Sequence, residues 1–227
     1  MMNILALDCA VTRISLAVKT DSKFLSATYD IGMRQSEILV PSIDELLKKA
    51  DLTAADLNAT CLTIGPGSFT GLRLGISALK AIELAYGVPV YGVSSLEAYA
   101  FAYRNFKLPL LSCIDANKDK FYARFEDGDK IILKDDDYEV SKILEAVKDF
   151  ENLLVCGPDA SKLVEKLKTV YGEKNYLLAQ TRPETAESLI QITEELVEKK
   201  AEPLKDFDGP VYLRASEAEL KLKGTIS

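Results

Sequence analysis

The first chemistry this sequence offers lies in a glycine-rich turn between an apolar strand and a helix. Residues 63–77 run TIGPGSFTGLRLGIS. Backbone N–H groups at Gly67, Ser68 and Phe69, at the start of a helix, can converge on an anion. The same residues can instead bend the chain sharply, with Ser68 or Thr70 as an N-cap. The turn is not a Walker A loop, because no lysine follows Gly71. Nor is it the dinucleotide fingerprint, because Thr70 stands where the third glycine belongs. Anion cradle and structural turn therefore both stay open.

A second candidate is DCAVT at positions 8–12. An aspartate ends an apolar strand, and a tight turn leads into a second strand. In the actin, Hsp70 and sugar-kinase superfamily such a hairpin brings N–H groups to a nucleotide phosphate, and the aspartate works through a hydrated metal. Here the glycine expected after Asp8 is missing, and Cys9 and Val11 put side chains into the turn. The hairpin is either a degraded phosphate site or a plain hairpin with a capping aspartate. A vestigial nucleotide contact, if kept, would use Asp8, Thr12, Gly65, Gly67 and Ser68.

These residues need strands and helices to hold them. NILALDC, RISLAVK and FLSATYDI are predicted strands, with TDSK as the turn between the second and third. A helix is expected over 36–50, with Leu39, Ile43, Leu46, Leu47 and Ala50 on one face and Pro41 costing a hydrogen bond or a kink. TAAD has capping-box spacing. ATCLTI is a buried strand that delivers the glycine turn, and a helix follows over 70–86. The strand VPVYGV and a helix from Ser94 or Ser95 complete the first half.

The second half repeats the plan. LLSCIDANKDKFYARF lies over ILALDCAVTRISLAV with Asp115 on Asp8, and Phe121, Ala123 and Phe125 on Ile14, Leu16 and Val18. LLVCGPDAS echoes CLTIGPGS. Two α/β lobes are implied: 1–104 as an N-terminal, partner-binding lobe and 105–227 as a C-terminal lobe. The tail at 210–227 is expected to pack back on the first lobe. KDDD and the terminal KLKGTIS look loosely structured.

Composition narrows the chemistry. The chain has no histidine, which excludes Ser-His-Asp triads and histidine-ligated metals within it. Without a recognisable Ser-Lys pair either, a peptidase is not expected. The excess of 35 acidic over 28 basic residues argues against a chain that grips nucleic acid unaided. Cys9, Cys61, Cys113 and Cys156 sit in or beside apolar runs with no C-x-x-C, as buried thiols of a reducing cytoplasm would. No apolar run is long enough to span a bilayer, and the N-terminus is expected to be a first strand, not a signal peptide.

NILALDCA, QSEILVPSIDELL, GPGSFTGLRLGISALKAI, VYGVSSLEA and PVYLRASEAEL together resemble the TsaB, or YeaZ, family from end to end. The resemblance implies the two-lobed actin/Hsp70/sugar-kinase-like α/β fold. It implies a non-catalytic scaffold or activator subunit in bacterial synthesis of N6-threonylcarbamoyladenosine at position 37 of tRNAs reading ANN codons. Catalysis and its metal would reside in the paralogue TsaD, a direct partner, with the ATPase TsaE joining the pair. The chain itself would hold no metal and no tight cofactor; ATP or ADP belongs to the assembled complex, and tRNA is reached only through it. Gln35 departs from the histidine that many relatives carry, and a surface position would tolerate the swap. The alternative is a sugar-kinase-like, ATP-dependent phosphotransferase.

The helix over 70–86 has more apolar surface than one sheet needs. Gly71, Gly75, Ala78, Ala81 and Ala85 make a small-residue side, and Leu72, Ile76, Leu79 and Tyr86 a large one. It is either sandwiched within its own lobe or bound to another chain. With the resemblance, the expected interface is Ile38, Leu39, Ile43, Gly71, Leu74, Gly75, Ala78, Ala81, Ile82 and Ala85, used for TsaD or, when the chain is alone, for a homodimer.

Overall fold

A computed structural model describes residues 2–32, 34–172, 174–179 and 185–214. The first half runs β1 (Ile4–Asp8), β2 (Arg13–Lys19), β3 (Phe24–Asp30), α1 (Gln35–Lys49), β4 (Ala59–Gly65), α2 (Phe69–Tyr86), β5 (Val90–Ser94) and α3 (Ser95–Phe101). The second runs β6 (Leu110–Asn117), β7 (Lys120–Asp127), β8 (Lys130–Glu139), α4 (Val140–Val147), β9 (Asn152–Cys156), α5 (Ala160–Tyr171), β10 (Asn175–Leu178) and α6 (Thr185–Glu198). The order of element types is the same in both halves.

The sheets repeat as well. One is ordered β3-β2-β1-β4-β5 and the other β8-β7-β6-β9-β10. In each, an antiparallel hairpin pairs through its first strand with a parallel crossover strand. This is the duplicated α/β architecture of the actin, Hsp70 and sugar-kinase superfamily. Each lobe has its own core. Leu5, Leu7, Ile14, Leu16 and Val18 meet Leu39, Ile43, Leu46 and Leu79 in the first. Leu111, Cys113, Phe121 and Phe125 meet Ile143, Leu163 and Leu167 in the second.

The duplication corrects one equivalence. In β1 the core-facing residues are Leu5 and Leu7, so Asp8 points to the opposite face. In β6 they are Leu111 and Cys113, so Asp115 shares the core face, where it pairs with Lys162 of α5. Asp115 therefore matches Cys9 in facing, not Asp8. A register shift between Asp115 and Asn117 accompanies the one-residue offset.

The two lobes interleave along the chain. The chain leaves the first lobe through α3 and a 3-10 turn at Arg104–Phe106. The expected second lobe, 105–227, does not keep all its elements. Helix α6 packs on β1, β2 and β4 of the first sheet, burying Ala186, Leu189, Ile190 and Ile192 there. Helix α3 reaches the other way, onto β6 and β7. The KDDD run, expected to be loose, lies within β8, where Asp135 and Asp137 both take arginine partners. The terminal KLKGTIS lies outside the described residues. Pro41 sits inside α1 without ending it, on the exposed side, where the carbonyl it leaves unbonded can reach water. Thr53 and Asp56 form the expected capping box. Among the described residues, no helix is long and apolar enough to cross a membrane.

Candidate functional site: the interlobe cleft and the outer face of α2

Asp8 ends β1 with 2% of its surface exposed. Its Oδ1 accepts hydrogen bonds from the Thr63 hydroxyl (2.6 Å) and the Ala10 N–H (2.9 Å), and its Oδ2 from the Tyr99 hydroxyl (3.4 Å). Burial pushes the carboxyl above its ordinary value of 3.8, against the pull of these bonds and one from Thr185. This carboxylate fastens a hairpin to β4, α3 and α6.

A folded-state value above the unfolded one means that the folded chain binds this proton more tightly. The resulting stability is complete below about pH 3.8 and is lost as pH rises through the folded value. Asp8→Asn keeps the shape without the charge and should flatten that slope. Asp8→Ala should strand the Thr63 hydroxyl and the Ala10 N–H, at a cost of about 2 kcal/mol. Urea unfolding of the three proteins from about pH 4 to about pH 8 checks both effects.

The glycine turn lies directly on this hairpin. The Ser68 N–H, one of three groups that an anion cradle would offer, donates to the Ala10 carbonyl (2.6 Å). Ser68 Oγ caps α2 by accepting from the Gly71 N–H (3.2 Å). Gly67, Gly71 and Gly75 recur every four residues and meet Ala10, Cys9 and Leu7 in turn. A Cβ on Gly67 would overlap the Ala10 carbonyl, and one on Gly71 the Cys9 carbonyl. The glycines thus let a helix lie against the backbone of β1 and its turn. Gln35 belongs to the same contact. It is buried, not at the surface as expected, and its amide donates to the Val11 carbonyl, tying α1 to the hairpin.

Between the lobes lies a cavity of about 650 Å³. Asp8, Thr12, Gly67 and Ser68 line it from the first half, and Asp115, Asn117 and Asp159 from the second. Gly65 does not. It is buried, and the Val211 carbonyl sits where its side chain would be. Tyr99, Tyr103, Tyr122 and Arg214 also line the cavity, and nothing in local sequence spacing marks the tyrosines. All four cysteines are buried free thiols. Burial raises each of their pKa values, that of Cys61 to about 12, so none is a poised nucleophile. Among the described residues, no group of three or more carboxylates and thiols is arranged to hold a metal ion.

The expected interface residues divide into two sets. Leu39, Ile43, Gly71 and Gly75 are buried within the first lobe, so they cannot meet a partner directly. Period matching explains the burial: Gly71, Leu72, Gly75, Ile76 and Leu79 form the face that α2 turns to its own sheet. Ile38, Leu74, Ala78 and Ile82 are half-buried, and Ala81 and Ala85 are exposed. Leu84, at 90% exposure, and Tyr86, at 56%, lie at the same end of α2. Large apolar residues this open, beside a stripe of small ones, suit contact with another chain.

Comparison with known proteins agrees with this architecture. The family model described as TsaD, tRNA N6-adenosine threonylcarbamoyltransferase, matches residues 32–219. The tRNA threonylcarbamoyladenosine biosynthesis protein TsaB of Bacillus subtilis (strain 168) is 27% identical over 231 residues, covering 97% of both chains. The structure of YeaZ from Pseudomonas aeruginosa is 26% identical, with a TM-score of 0.79 over 94% of this chain and 100% of that one. Ethanolamine utilization protein EutJ from Carboxydothermus hydrogenoformans, at 12% identity and a TM-score of 0.50, shares the fold alone; it covers 83% of this chain and 89% of its own.

Proposed function

We propose, because the chain belongs to the TsaB (YeaZ) family of tRNA threonylcarbamoyladenosine biosynthesis proteins, that it serves that synthesis as a non-catalytic scaffold or activator subunit. Its direct partner is a TsaD-type transferase, with TsaE joining the pair. The carrying observation is the Ser68 N–H, which the Ala10 carbonyl takes from any phosphate. The loop spends its glycines on packing and presents α2. The phosphotransferase alternative is not favoured, because the hairpin and the loop satisfy each other.

On this reading the outer face of α2 meets TsaD, or a second copy of the chain when TsaD is absent. ATP or ADP is held by the assembled complex, and the protein works in the cytoplasm. A formal charge of −7 leaves tRNA to the partner.

The test is threonylcarbamoyl transfer to tRNA by the isolated chain, by TsaD, and by the two together, alongside tRNA and MgATP titrations. We expect transfer only when TsaD is present, stimulation by this chain, and tRNA binding by the isolated chain weaker than about 1 μM at physiological salt. Transfer by the isolated chain, or tight MgATP binding with hydrolysis, would overturn the reading.

A further inference from the structure

The last described residues, 211–214, join the two lobes. On the first lobe, the Val211 N–H donates to the Ile64 carbonyl (2.7 Å). Tyr212 stacks on Phe69 at the start of α2, with ring centroids 5.1 Å apart. Its hydroxyl accepts from Arg73 Nε (2.9 Å), and the Arg73 guanidinium lies 3.8 Å above the Phe69 ring. Two residues further, Arg214 grips the second lobe. Its Nε (2.8 Å) and a terminal nitrogen (2.7 Å) both reach Asp137 Oδ2, and its other terminal nitrogen donates to the Ala116 carbonyl (2.8 Å). Arg214 is also part of the cavity wall, beside Tyr122 and Ala116.

We propose that residues 211–214 are an interlobe latch, fastened by Arg214 on Asp137, whose state is transmitted through Tyr212 to the N-terminal end of α2. One residue separates Tyr212 from Arg214, so their Cα atoms can lie no more than about 7 Å apart. With both ends anchored, the lobes cannot part at this edge of the cleft without unseating one of them. The crossing beside the α3–β6 connection is different in kind. There, Ser94 donates to Asp135 while capping α3, and Arg104 pairs with Glu97 and Glu126 at the chain connection. There the lobes are also tied by continuous chain, from α3 to β6, whereas 211–214 is held on the second lobe by the Arg214 side chain and can let go.

A partner seated on the Phe69–Tyr212 stack would favour the latched form, and release of the latch would weaken that partner in equal measure. This second step rests on the reading that a partner meets the outer face of α2, here extended to the N-terminal end of that helix; the first does not. A latched fraction reduced to about a tenth would raise the apparent partner Kd about tenfold.

The sequence contains no tryptophan, so Tyr212→Trp gives a single indole at the stack. In that background, Arg214→Ala and Asp137→Asn should each shift the emission to the red and speed hydrogen exchange at the Val211 amide about tenfold. The circular dichroism should stay unchanged. If Tyr212→Trp does not fold, exchange at the Val211 amide in chains that keep Tyr212 gives the same answer. Unchanged exchange in both Arg214→Ala and Asp137→Asn would overturn the latch. A latch that opens while TsaD affinity is unchanged would overturn the coupling, leaving the partner face itself to be judged by substitutions in the middle of α2.

Discussion

Gly71→Ala should destabilise the chain by about 3 kcal/mol or more, the upper end of what overpacking does. The position is helical and buried, and by propensity alone alanine would be preferred there. Sterics reverse the preference. The added methyl would overlap the Cys9 carbonyl oxygen and come within 2.8 Å of Gln35 Oε1. The first is backbone at the end of β1, and the second belongs to the side chain that ties α1 to Val11. The first cannot yield without moving the hairpin, and the second can yield only by disturbing its bond to Val11. Gly75 is a milder case, because its methyl would meet the end of the Leu7 side chain at 3.0 Å. Gly128 is the control. Its φ of +56° strains an alanine, but nothing lies within 4 Å, so about 1 kcal/mol is expected. In urea unfolding, Gly71→Ala should be far less stable than either Gly75→Ala or Gly128→Ala. A Gly71→Ala chain as stable as the parent would mean that α2 does not rest on β1, and the loop would again be free to bind an anion.

How far the sequence anticipates this structure depends on whether the interactions are local. The strands of the first half, the capping box at Thr53 and the start of α2 are written in periodicity and turn chemistry, and all form as expected. The duplication is legible because two hairpin-and-crossover units leave the same order of apolar runs. Its fine alignment is not, because one extra residue before the β6–β7 turn inverts which face an aspartate takes, a matter of parity that side-chain similarity does not register. Docking of α6 on the far sheet is a long-range contact with no local signature. Asp135 and Asp137 look like a solvated charge run until Arg124 and Arg214 arrive from elsewhere. Gln35 looks like a surface residue until the Val11 carbonyl is placed above it. For the candidate site, the motif located the loop, the hairpin and the helix. The division of α2 into an inner and an outer face came only with the sheet it lies on.

That division determines the other large effect. Leu74, Ala78, Ala81 and Ala85 are spaced by four, three and four residues, the seam of a helix that packs lengthwise on another. Ala78 is half-buried and packs against the core of its own lobe, so Ala78→Glu should lower the melting temperature as well as any partner affinity. Ala81 is exposed and lies on the outer side of the same stripe. An arginine there meets only water in the free chain, so Ala81→Arg should melt within about 2 °C of the parent. In a complex that seats a second helix on this seam, the guanidinium would be buried without a partner, at a cost of several kcal/mol. A loss of about 3 kcal/mol is on the order of a 100-fold rise in Kd. Titration calorimetry of Ala81→Arg against TsaD should therefore show binding weakened at least that far, and the stimulation of threonylcarbamoyl transfer should fall with it. Sedimentation of the variant alone should show less self-association than the parent. Parent-like affinity from a folded Ala81→Arg chain would place the partner on another surface. The exposed Leu84 and Tyr86 would then need a different explanation.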